Sequence, residues 1–326
     1  MSESSDEGAQ PGGIRRGWDH GRTRYRCVGR AVVLTTVPKR DGQSQNLSNS
    51  GPDQTAPSAI EYRTLQNKKR FVQLSVSGTK LSKDMTSVLS GAEKIRTFTF
   101  PSTTRSVQDL AFERRKLMRA VVLNEGLERI GGCKDGQQYI GAFYKTKLVH
   151  ITLPSTLTVL GDNTFQWCEQ LRSVIFAEGS KLEKIGRGCF FQAGLEEFRA
   201  PPGLRTIADG TFCYCWRLKR VVLNEGLEML GGIGLRVTIG VFAGAQLDEI
   251  ALPASLRTLG NCVFWKCKGL KRITLPEGSR LETLGEMCFA ETGVREFLAP
   301  ASLRQIKDGA FQNCSELTLV RLNEGL

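Results

Sequence analysis

The chain has 326 residues, 24% of them charged and 40% hydrophobic, with 35 Gly, 10 Cys and only 2 His, His20 and His150. No apolar run approaches the ~20 residues that cross a bilayer, so no transmembrane segment is expected. Two histidines leave almost no room for His-based triads or multi-His metal sites, so neither a catalytic residue, a cofactor nor a metal is expected.

In chain order, the first segment is polar. Met1-Ser-Glu-Ser-Ser-Asp-Glu has no apolar stretch behind it and does not read as a secretory signal. The expected compartment is therefore the cytoplasm, where thiols persist. The cysteines include no Cys-x-x-Cys, and the closest pairs are Cys213/Cys215 and Cys262/Cys267. Residues 1–70 carry 12 Lys/Arg against 7 Asp/Glu and are rich in Gly, Ser, Gln and Asn, as in Asp41-Gly-Gln-Ser-Gln-Asn. Their only short apolar stretch is Ala31–Val37. We read 1–70 as a disordered, basic, low-complexity segment whose arginines form a solvated tail. The rest of the net charge of +12 is spread thinly downstream, so no nucleic-acid partner is expected.

The remainder repeats itself. Leu148-Val-His-Ile-Thr-Leu-Pro154 runs on through Leu157, Leu160-Gly161 and Phe165 to Cys168, and Leu247-Asp-Glu-Ile-Ala-Leu-Pro253 runs on through the same series to Phe264 and Cys267. Units begin at Ile95, Met118, Leu148, Leu171, Leu195, Leu218, Leu247, Leu270, Val294 and Leu317, at spacings of 23, 30, 23, 24, 23, 29, 23, 24 and 23. A longer period of four units overlies the short one. Val121-Val-Leu-Asn-Glu-Gly-Leu127 returns at Val221–Leu227 and at Val320–Leu326. Extrapolated backwards, the block predicts a degenerate first coil over 71–94, with Met85 at the position of Ile185.

This pattern of L-x-x-I-x-L-P followed by F-x-x-C resembles the BspA-type leucine-rich repeats over roughly 95–326, departing from them in the long units at Met118 and Leu218. The resemblance implies a repeat solenoid, a leucine-rich-repeat β-solenoid with a parallel β-sheet. It would span 71–326 in about ten to eleven coils, with 317–326 an incomplete last coil. It also implies partner binding or adhesion, without assigning either to particular residues here.

The physics points the same way. Offsets 3 and 5 of each unit share one strand face, and stacked coils bury an edge that one coil cannot bury alone. Pro101, Pro154, Pro201, Pro253, Pro276 and Pro300 follow the strand and end its ladder. Phe112, Phe165, Phe212, Phe264 and Phe311 lie 17 residues into their coils and predict an internal aromatic spine. Cys168, Cys215, Cys267 and Cys314 predict a column of small buried thiols at a corner.

Two surfaces are candidates for partner binding. On the solvent face of the sheet, Glu197, Arg220, Glu249, Arg272 and Glu296 alternate in sign, either as a ladder holding coil register or as a mixed-charge docking surface. Just past the spine, Trp167, Tyr214, Trp216 and Trp265, with Tyr144, are either packing over the corner or a partner-binding stripe. The insertions Gly131–Ile140 and Gly231–Ile239 are further candidates as binding loops. The last strand, Leu317 to Leu322, is expected to present an uncapped edge open to self-association. The expected function is a non-enzymatic protein–protein interaction module, a rigid scaffold holding a protein partner on its sheet face or its aromatic edge. The alternatives are a cell-surface adhesion or antigen-like protein, or a fragment of a larger multidomain protein.

Overall fold

The computed structural model describes residues 96–131, 140–232 and 239–326, together with the backbone of the strands Arg24–Val28, Ala31–Thr35, Lys80–Leu81 and Ser87–Ser90. Segment 1–70 lies outside the described residues apart from Arg24–Val28 and Ala31–Thr35, which pair antiparallel. The described remainder is a β-solenoid without helix, and so without a helix long and apolar enough to cross a membrane.

Each coil contributes two short strands and a corner. The first strand carries the L-x-x-I-x-L pattern. In Glu197–Arg199 the two charged residues are exposed and Phe198 between them is buried, as the period of two dictates. Neighbouring coils pair in register and parallel, as in Glu197↔Arg220 and Glu249↔Arg272. These first strands form hydrogen-bonded pairs, Thr97–Thr99 with Ala120–Val122 and so on to Glu296–Leu298 with Leu319–Arg321. Proline then turns the chain, and its carbonyl accepts the amide three residues on, as at Pro201 and Leu204 (3.1 Å).

The second strand is only two residues long in each coil, yet it builds a continuous parallel ladder from Ser106–Val107 through Lys184–Ile185 and Thr206–Ile207 to Gln305–Ile306. Its inward residue is buried coil after coil, as at Val107, Ile130, Ile185 and Leu284. Ser87–Ser90 adds a strand beneath Ser106–Val107, with Val88 opposite Val107. Val88, and not Met85, therefore holds the place of Ile185 in the degenerate first coil; the rest of 71–94 lies outside the described residues apart from Lys80–Leu81.

The corner holds the core's axis. Nine phenylalanines stack ring on ring: Phe112, Phe143, Phe165, Phe190, Phe212, Phe242, Phe264, Phe289 and Phe311, with successive centroids 5.2–5.5 Å apart. The predicted spine had every second ring. The other four lie deeper into their units because the extra residues of the longer units fall ahead of the ring. Two backbone bonds per coil make a third ladder here, as in Phe165 N–H to Cys189 O (2.7 Å) and Trp167 N–H to Phe191 O (2.8 Å).

This ladder demands a left-handed residue two places after each ring. Arg114, Lys145, Trp167, Gln192, Tyr214, Lys266, Glu291 and Asn313 all have φ between 53° and 61°, and the ninth position is Gly244 at 71°. Side chains rarely adopt this region, at a cost of order 1–2 kcal/mol per residue. The intercoil amide bond that each but Asn313 makes offsets it. Gly240 meets a different constraint, because a Cβ there would collide with the Cys262 carbonyl of the next coil.

Candidate interaction surfaces

The first surface is built on the first strands. Residue two of each unit faces water because residue three faces the core. The in-register pairing sets unlike charges opposite each other, with Arg220 Nη1 3.8 Å from Glu197 Oε2 and Arg272 Nη1 3.3 Å from Glu249 Oε2. One position closer to the unit start, Arg172 meets Glu196 at 3.0 Å. At the uncharged end of the same row, His150 Nδ1 and Ser173 Oγ share a hydrogen bond of 2.8 Å. Arg220–Glu197 and Arg272–Glu249 therefore sit over hydrogen-bonded strand pairs, while Arg172–Glu196 joins one such pair to the next. All four guanidinium and carboxylate partners of the central pairs are more than 60% exposed, so each pair adds about 0.2–1 kcal/mol and remains open to exchange for a ligand's charges.

These residues line one broad open depression of ≈ 980 Å³. Its floor includes Val221, Val222, Ile250 and Ala251, and Glu197, Arg220, Glu249 and Arg272 stand around it. Glu296 stands apart from it, on the strand Glu296–Leu298 opposite Leu319. The last strand, Leu319–Arg321, is exposed at all three positions.

The second surface runs along the corner and shares no residue with the first. Four of its five predicted aromatics join a continuous chain of contacts, Tyr144 through Lys145 at 5.2 Å. The Lys145 ammonium lies 4.8 Å from the Trp167 ring centre; Trp167 meets Phe191 at 6.4 Å, Phe191 meets Tyr214 at 5.9 Å, and Tyr214 stacks on Trp216 at 4.9 Å. Trp265 stands outside that chain: Lys266 covers it at 4.3 Å and its indole N–H donates to Glu291 Oε1 at 3.2 Å. Sequence reasoning missed Phe191 and Lys145, although the doublet Phe190-Phe191 marked one ring for the spine and one for the edge. The insertions lie almost wholly outside the described residues, at 132–139 and 233–238.

The thiol column is interior chemistry. Cys168, Cys215, Cys267 and Cys314 each donate to the carbonyl of the spine phenylalanine one coil back, at 3.0–3.1 Å. The eight described cysteines are free, and all but Cys314 are buried. Burial pushes the thiols of Cys168 and Cys267 up to about 12, which holds them as neutral donors. Among the described residues no three His, Cys, Asp or Glu side chains group as metal ligands would.

Comparison with known proteins follows this geometry. A family model described as BspA type leucine-rich repeat region matches in six copies, over residues 58–133, 139–233 and 236–326. No curated protein matches. Among solved structures, a leucine-rich repeat protein from Bacteroides ovatus is 20% identical, with 73% of this chain and 76% of that one covered and a TM-score of 0.43. A leucine-rich cell surface protein from Faecalibacterium prausnitzii is 22% identical, with 70% and 60% covered and a TM-score of 0.44. The pneumococcal vaccine antigen PcpA is 20% identical, with 75% and 70% covered and a TM-score of 0.49.

Proposed function

Because the chain belongs to the BspA-type leucine-rich-repeat family, we propose that it is a non-enzymatic interaction module that holds a protein partner on the sheet face of its solenoid. The observation that carries this reading is the depression of ≈ 980 Å³ walled by exposed, loosely paired charges on a floor of registered strands. Such a floor is ordered, because its strands pair two by two in register and each coil is also tied to its neighbours through the continuous second-strand ladder. Its charges are of both signs, which suits a protein of mixed charge and disfavours a polyanion. We also propose the cytoplasm as its compartment, since the eight described cysteines are free and a reducing compartment keeps thiols so.

The test is affinity capture with the full chain and with the double variant Arg220→Glu/Arg272→Glu, followed by reconstitution with the purified partner. The reading expects a partner retained by the wild type and lost by the variant. A partner bound equally by both would place the contact elsewhere.

A further inference from the structure

We infer that the corner of the solenoid carries a second, separate docking site, for an extended acidic segment of a protein with an apolar residue at one end. It runs from Arg114 to Trp216 across five successive coils. Arg114 lies 5.8 Å and Lys145 5.2 Å from the Tyr144 ring centre, Lys145 bridges to Trp167, and the rings of Phe191 and Tyr214 carry the contact on to Trp216. Four intercoil steps at the parallel-strand spacing make about 19 Å, the reach of six extended residues at about 3.3 Å each.

Cations gather in the first two coils of this line and exposure of its rings rises toward the other end, where Arg217 follows Trp216. The first two coils contribute Arg114, Arg115, Lys116, Lys145 and Lys147. Glu113 holds Arg114 at 3.3 Å and Glu169 holds Lys147 at 3.6 Å. Lys145, among the described residues, has ring partners and no carboxylate. At the far end Trp216 is 56% exposed, the one ring of the line that is more than half open to water. Cations at one end and an open indole at the other fit carboxylates followed by an apolar side chain.

The ring geometry argues against other polyanions. Bases stack on open aromatic faces, but here Lys145 covers Tyr144 and Trp167, and Tyr214 and Trp216 stack on each other with planes 23° apart. A bilayer surface needs a broad apolar face, and a single exposed indole does not supply one.

The experiment uses the full chain and a fluorescein-labelled peptide of six glutamates followed by two leucines, read by anisotropy. Lys145→Glu is the decisive variant. Glu291 already occupies the equivalent left-handed position at φ 56°, so the fold accepts glutamate there. The inference expects salt-sensitive peptide binding that weakens about tenfold in Lys145→Glu at low salt, weakens also in Trp216→Ala, and is unchanged in Arg272→Glu on the sheet face. Absence of peptide binding, wild-type affinity in Lys145→Glu, or tighter binding of a thymidine oligonucleotide or of phosphatidylserine vesicles would each overturn it. Because Arg272 belongs to the other surface, loss of the sheet-face partner would leave this result untouched.

Discussion

Cys168 donates its thiol hydrogen to the Phe143 carbonyl at 3.1 Å, out of contact with water, and Cys215 and Cys267 repeat the arrangement. Ionising any of these would leave a charge in an apolar corner and remove one of the carbonyl's two donors, the other being the amide three residues beyond the ring, as at Thr146 N–H to Phe143 O (3.1 Å). The consequence is a pH dependence of definite sign. With Cys168 and Cys267 raised from 9.0 to about 12, the folded state keeps its protons where the unfolded state loses them. Stability is therefore complete below pH 9 and declines between pH 9 and about 12, at about 1.4 kcal/mol per pH unit for each thiol. Urea midpoints measured from pH 8 to 10.5 are expected to fall less steeply in Cys168→Ala/Cys267→Ala than in the wild type, which separates the thiols from the lysines that titrate nearby. Reagent labelling of the native chain, mapped by mass spectrometry, is expected to reach Cys314 before Cys168, Cys215 or Cys267, because only Cys314 is partly open. Fast labelling of all four would contradict the placement.

At the scale of strands and turns, charge register and turn chemistry divide the work of aligning coils. Arg220 pairs with Glu197 on the strand before it and faces the Glu249–Ala251 strand on the other side, so Arg220→Ala is expected to lose about 1 kcal/mol or less. Arg220→Glu places like charges in a row and is expected to lose measurably more at low salt; equal melting temperatures for the two would rule out a register role. The turn after the strand is held more firmly. Asn224 donates to the Pro202 and Leu204 carbonyls at 2.9 Å each, and Glu225 accepts the Ala254 amide of the next coil at 3.1 Å, so one Asn-Glu-Gly turn ties three coils. Asn124 and Asn323 repeat the backward tie. Asn224→Ala is expected to cost about 1–3 kcal/mol in chemical denaturation, and Asn224→Asp more, since its carboxylate would face the same two carbonyls. The sequence showed the hundred-residue recurrence of this tripeptide and the alternating charges, because both are written in residue identity. It did not show the four remaining spine rings, since an offset counted from the strand hides a column whose loops differ in length. Nor did it show that Thr146, Ala193, Ala245 and Thr292 fill the alternate coils at the thiol's position after the ring; apart from Arg115 in the first coil, that corner takes a small side chain rather than sulfur as such. The left-handed column was invisible for the opposite reason, as arginine, lysine, tryptophan and glutamate share no chemistry there beyond a backbone bond.

The whole molecule behaves as a one-dimensional stack, in which each coil is stabilised by its own closure and by contact with two neighbours. Phe212 shows what one such interface contains. Its ring stacks on Phe190 at 5.5 Å and on Phe242 at 5.3 Å, and Phe198 packs against it at 4.6 Å. Phe311 has the same kind of neighbours on one side only, Phe289 at 5.4 Å and Phe297 at 5.2 Å, and is partly exposed. Removing a ring deletes its contacts and leaves a cavity that adjoining coils cannot fill without shifting out of register, at about 3–5 kcal/mol for a buried phenylalanine. In a stack, however, the position of the loss matters as well as its size. Phe212→Ala weakens both interfaces at mid-length, so the coils on either side are expected to unfold as separate units and a single denaturation curve to become two. Phe311→Ala weakens one interface near an end and is expected to cost less and to leave one transition, with fraying confined to the last coils. Urea melts monitored by far-ultraviolet dichroism, with native-state hydrogen exchange to assign which amides open together, distinguish the cases. If both variants unfold in one transition with equal loss, the coupling between coils extends well beyond nearest neighbours and the spine is not its principal carrier; the continuous second-strand ladder, unbroken from Ser106 to Ile306, would then be the element that makes the solenoid cooperative.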